Sequence, residues 1–266
     1  MSNQFSVGAD EAARKTGAID SVVASLPLSL AHATAQPDIV AVDGSVPAWS
    51  ERAQEALDSG ARVTVIISPT LMTGLAPQAT AQMVFDWAFA SNPAVQKAAE
   101  AATALIPHIT LLESRLVLPA GADLDQSLMD QLTAIAQITG DSALAPGSLR
   151  CLFADQHGYH FAGALNSGAP VTVSAVVSAA TNPHLGIRLL TVEESMTVYI
   201  PAPDTAAPAE VRVTTHEGEL LLPTEYEAAH RTTWRRAIRL LTEETDAEDY
   251  AQLLKTASVL RNRLDP

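Results

Sequence analysis

The chain has 266 residues, 47% of them hydrophobic, 17% charged and 5% aromatic. That much apolar material supplies one large or two smaller packed domains and excludes disorder over most of the length. Sixteen Lys and Arg against thirty Asp and Glu give a formal net charge of −14, so nucleic acid is not an expected partner.

In chain order, Gln4–Val7 and Ala18–Val23 read as short strands. The clearest unit follows Pro37. Asp38-Ile39-Val40-Ala41-Val42-Asp43 is an apolar run suited to a strand buried on both faces. Gly44-Ser45-Val46-Pro47 breaks it, with Ser45 placed to cap a helix and Pro47 tolerated in a first turn. Trp49, Ala53, Ala56 and Leu57 recur at i, i+4, i+7 and i+8, one apolar helix stripe, which Gly60 ends. Val63-Thr64-Val65-Ile66-Ile67 is a second buried strand, stopped by Ser68-Pro69. Strand, helix and strand at this spacing predict a parallel βαβ unit.

The Ala-rich stretches Gln78–Phe89 and Ala94–Leu105 predict helices, Ile109–Leu118 a strand, and Leu124–Ile138 a helix ended by Gly140. Then the texture changes. Leu149-Cys151-Phe153, Tyr159-Phe161 and Val171-Val173-Ala175-Val177 alternate with period two, and turn residues separate them. Strands follow at Gly186–Leu190, Met196–Ile200, Val211–Thr215 and Glu219–Leu222, which together predict an antiparallel sheet. Pro201–Pro208 reads as a surface loop, and helices at Tyr226–Leu241 and Ala247–Leu264 close the chain. The fold class expected is α/β plus α+β: a shortened parallel-sheet domain over 1–90, then a domain over 91–266 with a large, mostly antiparallel open sheet and flanking helices. Two modules sharing a crevice are the natural arrangement.

The lone cysteine, Cys151, has no internal disulfide partner, and its neighbours Leu149, Leu152 and Phe153 predict a buried side chain. The N-terminal MSNQFSVGADEAARK lacks a basic segment followed by an apolar one, and no apolar run approaches the roughly 20 residues of a membrane span. A cytoplasmic protein without membrane contact is the expectation.

Several residue groups bear chemistry. His157 and His160 flank Gly158-Tyr159 in alternating sequence, which predicts a hairpin pair rather than a metal site, since two ligands alone do not hold zinc. Ser68 follows a strand but lacks the GxSxG surroundings of a nucleophile elbow. Asp123, Asp125 and Asp130 gather near a helix start, where acids complement the helix dipole. Arg231, Arg235, Arg236 and Arg239, with Trp234, form a cationic helix stripe. It could grip an anion, but Glu243, Glu244, Asp246, Glu248 and Asp249 follow and neutralise it locally.

The order of elements, with Pro37-Asp38-Ile39-Val40-Ala41-Val42 and the run from Ala53 through Gly60 to Val65, resembles the Gfo/Idh/MocA oxidoreductases, the relatives of glucose–fructose oxidoreductase and inositol dehydrogenase. Asn92-Pro93-Ala94-Val95 and the Leu124–Gly140 helix are similar to that family's later segments. The resemblance implies a Rossmann-like domain, a second domain on an open sheet, a nicotinamide dinucleotide, and a homodimer built through the C-terminal sheet. It also implies functional positions, and here the chain departs. No GxGxxG turn opens it: the glycines before Gly44 are Gly8 and Gly17. Ile67-Ser68-Pro69 stands where the family has Glu-Lys-Pro, so Ser68 replaces a lysine. Gln126 and Asp130, with Thr133 one turn on, stand where its pocket helix carries an acid and a histidine. Loss of these parts leads to the expectation of a non-catalytic protein with a binding, scaffolding or regulatory role and no cofactor. The alternative is an NAD(P)-dependent oxidoreductase of a sugar or polyol with an atypical cofactor pose, in which Ser68, Asp130 and Thr133 line the cleft.

Overall fold

Short apolar runs joined through helices return to the same sheet edge and pair in parallel, whereas runs joined by tight turns pair antiparallel. Both patterns are present. The computed structural model describes residues 4–15, 18–33, 35–70, 80–140, 144, 146–205 and 207–259. It divides into two compact units, Met1–Trp87 with Ala229–Leu253, and Ala88–Ala228 with Leu254–Pro266.

The first unit is built on β1 (Phe5–Ala9), β2 (Leu30–His32), β3 (Ile39–Asp43), β4 (Val63–Ile67) and β5 (Met83–Asp86). Every pairing is parallel, in the order β2-β1-β3-β4-β5. The helices α1 (Glu11–Lys15) and α2 (Ala18–Ser25) join β1 to β2, and α3 (Trp49–Asp58) joins β3 to β4. The predicted strand at Ala18–Val23 is thus a helix. Its buried residues Ile19, Val22, Val23 and Leu26 fall at i, i+3, i+4 and i+7, a helical stripe that the β-branched composition obscured. The helix predicted over Gln78–Phe89 is also corrected: a single 3₁₀ turn leads into β5, all four of whose residues are buried, and residues 78 and 79 lie outside the described ones. Burial on both faces outweighs the alanine content there.

The β3-α3-β4 unit is as the spacing predicts, except at the helix start. Ser45 does not cap α3; its hydroxyl donates to Asp43 Oδ1 at 2.6 Å, and Ala48, in a left-handed conformation, occupies the cap position. Late in the chain, α6 (Ala229–Glu243) returns to cover β4 and β5. Its Trp234, Ala237 and Leu241 join Val7, Leu30, Ile39, Val63, Val65 and Val84 in one core. The final helix, α7, runs over Asp249–Val259; of the predicted Ala247–Leu264 segment, Ala247 and Glu248 precede the helix and residues 260–264 lie outside the described residues.

The second unit opens with α4 (Pro93–Ala102), whose Asn92 side chain caps it by accepting from the Ala94 N–H at 3.0 Å. Then come β6 (Leu111–Leu118), α5 (Leu124–Thr139), and β7 (Arg150–Asp155), β8 (Gly158–Ala164), β9 (Pro170–Val177), β10 (His184–Leu190), β11 (Ser195–Pro201), β12 (Glu210–Thr215) and β13 (Gly218–Leu221). The sheet order is β13-β12-β11-β10-β6-β9-β8-β7. It is antiparallel apart from β6–β9, which are parallel because a helix and a hairpin intervene between them. Alternate residues Leu112, Leu116, Val173, Leu185, Ile187, Met196 and Val198 are buried, as are Val95, Ala98, Leu128, Leu132 and Ile135 of the two helices. Cys151 is exposed, not buried as its neighbours suggested, because β7 is an edge strand with every residue exposed. No helix of the described residues is long and apolar enough to cross a membrane.

Trp49 anchors the first unit's packing: it is 2% exposed, meets Phe85 edge-on at 5.6 Å between ring centroids, and donates its indole N–H to the Thr70 carbonyl. Trp49→Ala removes this contact, and unfolding by urea should show a loss of about 3–5 kcal/mol. A loss within measurement error would contradict the packing described.

Candidate active site

In an open parallel sheet, ligands bind beyond the carboxyl ends of the strands, where the strand order reverses direction. Here that point lies between β1 and β3. Beyond β1, Asp10 comes directly before α1. Its carboxylate accepts the Ala13 N–H at 2.7 Å through Oδ1 and Arg52 Nε at 2.8 Å through Oδ2. The guanidinium of Arg52, from α3, also donates to the Asp43 carbonyl at 2.6 Å and the Pro47 carbonyl at 2.7 Å. One side chain therefore ties the ends of β1 and β3 together. The pair is well shielded, with side-chain exposures of 26% for Arg52 and 16% for Asp10.

The spacing of Gly8, Asp10 and Ala13 is that of the G-x-G-x-x-G/A turn, with Asp10 in place of the second glycine. Gly8 has a structural reason to stay: a Cβ there would lie 2.9 Å from the Pro37 ring. Ala13, 0% exposed, fits the close helix–strand contact of the third position. The sequence carried this signal, but a search for paired glycines alone passes over it. The backbone is not strained by the change. Left-handed φ values at described non-glycine residues occur at Ala48, Ser68 and Glu244, not at Asp10. What a glycine at the second position permits is the close approach of a pyrophosphate. With Asp10 there, a carboxylate fills that place, so the first βα turn as arranged does not fit a pyrophosphate in its usual seat.

Further along the same edge, Gly44 N–H donates to the Ile67 carbonyl at 2.7 Å and Ser68 N–H to the Asp86 carbonyl at 2.9 Å. Ser68 has φ +53°, a conformation unusual for serine. Next to it, at the end of β5, the Asp86 carboxylate is 1% exposed. Its Oδ2 lies 2.5 Å from His230 Nδ1, and its Oδ1 accepts the Thr233 hydroxyl at 3.0 Å. A carboxylate only accepts when ionised, so Nδ1 is the ring nitrogen placed to donate to it and Nε2 is the nitrogen on the other side of the ring. The His230 side chain is 34% exposed. Sequence reasoning missed this pair because its partners are 144 residues apart and come together only when α6 returns to the sheet.

The other sequence-derived candidates lie in the second unit. Asp130, 4% exposed, accepts the Phe89 N–H at 2.9 Å and the Ala90 N–H at 2.7 Å. Thr133 is buried and donates to the Met129 carbonyl. Gln126 is half-buried, and its N–H, like that of Asp125, donates to the N-cap Asp123 at 3.0 Å. Asp130 is thus an anchor for a turn of backbone. A different buried chain crosses α5: Tyr159 Oη donates to Gln131 Oε1 at 2.8 Å, and Gln131 Nε2 donates to Ser114 at 2.7 Å. His157 and His160 fall at the β7–β8 hairpin, as their sequence context predicts. Of the cationic stripe, Arg236 is neutralised by Asp249 through two bonds of 3.1 and 2.6 Å.

These two units, one Rossmann-like and one on a mostly antiparallel eight-stranded sheet, have the fold of the Gfo/Idh/MocA oxidoreductases. Among solved structures, the chain is similar to KijD10, a 3-ketoreductase from Actinomadura kijaniata in complex with NADP and TDP-benzene, with a TM-score of 0.66 and 13% identity over 97% of this chain and 96% of that one. It is also similar to the dehydrogenase MviM from Clostridium difficile, with a TM-score of 0.67 and 8% identity over 99% of each chain. UDP-N-acetylglucosamine 3-dehydrogenase GnnA from Acidithiobacillus ferrooxidans gives 0.66 and 12%, over 98% and 97% of the two chains. No family model and no curated protein matches the sequence. These likenesses correct the expectation of a non-catalytic protein without a cofactor. Proteins that share the fold end to end are dehydrogenases and a ketoreductase, the last solved with NADP. That expectation rested on glycines, a lysine and a histidine missing from fixed positions.

Asp130→Ala leaves two buried N–H groups without their carboxylate, each worth about 1–3 kcal/mol. Chemical denaturation should show a loss in the sum of those terms, and a neutral substitution would remove Asp130 from its anchoring role.

Proposed function

We propose that the chain is an NAD(P)-dependent oxidoreductase that interconverts a hydroxyl and a carbonyl on a sugar- or polyol-class substrate. The observation that carries this reading is the match of both units, over nearly the whole length, to a sugar-nucleotide dehydrogenase and an NADP-complexed ketoreductase. His230 supports it from within the chain. A hydroxyl being oxidised must lose its proton to a base, and a carbonyl being reduced must gain one from an acid. Nε2 of His230 is the group proposed for that transfer. Asp86 holds the ring by Nδ1 and stabilises the imidazolium that forms, a charge-assisted bond in a shielded place. Ser68, beside it on the sheet edge, supplies a hydroxyl and no cation, so the proton traffic does not pass through the family's lysine position.

We also propose a homodimer through the face of the eight-stranded sheet turned away from α4 and α5, where Glu113, Arg188 and Tyr199 are half-buried or exposed. A cytoplasmic location is part of the same reading, and the exposed free thiol of Cys151 suits a reducing compartment.

Incubation of the full chain with NAD(P)⁺ and a panel of nucleotide sugars, aldoses and inositols should give absorbance growth at the reduced-nicotinamide band for at least one substrate. His230→Ala should then lower kcat by about 10²–10⁴-fold, the range of general acid–base catalysis. No turnover across the panel in either direction would count against the reading. For assembly, light scattering should give twice the 28.0 kDa chain mass; a monomer at every concentration would refute the dimer.

A further inference from the structure

The first βα turn contains its own anion, and we infer that Asp10 competes with the dinucleotide for the phosphate seat and sets the affinity for it. The inference rests on the proposed NAD(P) use. Three observations lead to it. The carboxylate occupies the second-glycine position of a G-x-G-x-x-A spacing, and its Oδ1 takes the Ala13 N–H at 2.7 Å, a backbone donor of the first helical turn. Its Oδ2 takes Arg52 Nε at 2.8 Å, a cation that also reaches the end of β3. The position does not require a glycine: φ at Asp10 lies outside the left-handed region, and the fold's steric demands fall on Gly8 and Ala13.

A pyrophosphate seated at this turn would need the same two donors and would meet a like charge at hydrogen-bond range. Removing the charge has the opposite effect. Arg52 stays in place through its bonds to the Asp43 and Pro47 carbonyls, and its Nε is released to an incoming phosphate. Asp10 is therefore an affinity-determining residue, not a catalytic one. Asn at this position keeps an oxygen able to cap the Ala13 N–H while losing the charge; Gly removes the side chain altogether.

The test is calorimetric titration of NADPH into the full chain and its D10N, D10G and D38N variants, with thermal melts to establish folding. Asp38 bonds Ser6 at the start of β3, at the opposite edge of the sheet, so D38N makes the same change in net charge away from the seat. NADPH should bind D10N and D10G at least tenfold more tightly than the unaltered chain, and D38N should bind as the unaltered chain does. Should D10G fail to fold, D10N decides. Equal or weaker binding by a folded D10N, with measurable binding by the unaltered chain, overturns this inference and leaves the proposed function standing. A gain matched by D38N also overturns it, since net charge would then be the cause. Absence of binding by every variant overturns both.

Discussion

The end of a parallel strand presents backbone groups with no next residue to pair them, and in this chain one guanidinium satisfies them where it matters most. Arg52 reaches from α3 to the carbonyls of Asp43 and Pro47 and to the carboxylate of Asp10. Charge-assisted bonds of this kind contribute about 1.5–3 kcal/mol each when shielded. The arrangement fixes the β3–α3 turn, whose cap residue Ala48 is left-handed and makes no side-chain cap bond. It also determines what the sheet offers to a ligand, because the same atoms that close the turn lie where the strand order reverses.

Buried acids serve three different ends in the molecule, and their partners tell them apart. Asp130 spends both oxygens on the backbone N–H groups of Phe89 and Ala90, which holds a turn and leaves no proton to move. Asp249 takes Arg236 on both oxygens and the Phe85 N–H, closing α7 against β5 with a permanent cation. Asp86 is bonded to an imidazole and a hydroxyl instead. A carboxylate that holds a titratable ring at the open end of a sheet can support proton transfer, whereas one that holds amides or a guanidinium cannot. Charge is alike in the three; the identity of the partner separates an anchor from a candidate site.

Much of the architecture was legible because it depends on local periodicity. The run Ile39–Asp43, the stripe from Trp49 to Leu57 and the run Val63–Ile67 each have one dominant period and clear ends, and all three form as read. The strands from β8 to β12 alternate cleanly because one face is buried. Failures came where local pattern and tertiary place disagree. Met83-Val84-Phe85-Asp86 follows an Ala-rich stretch and has no alternation, because it is covered on both sides. Cys151 has apolar neighbours but sits on the last strand of the sheet, where neither face is covered. The candidate site was harder still. Its histidine comes from Ala229–Glu243, and nothing in the spacing of α6 announces that its first turn meets the end of β5.

Asp10 shows why missing motif residues are weak evidence for a missing function. The three positions of a dinucleotide turn answer to different constraints, and they need not be lost together. Gly8 and Ala13 answer to packing, at a pyrrolidine ring and in a fully buried place, so in this chain both stay small. The middle position is under no such demand, since no left-handed φ requires a glycine there. A carboxylate at that point stabilises the ligand-free turn through Ala13 and Arg52, and every gain in that state is a cost to an anion that must replace it. Fold retention combined with a carboxylate at the middle position is what the proposed loss of affinity would leave in a sequence, with Arg52 and its two carbonyl bonds kept.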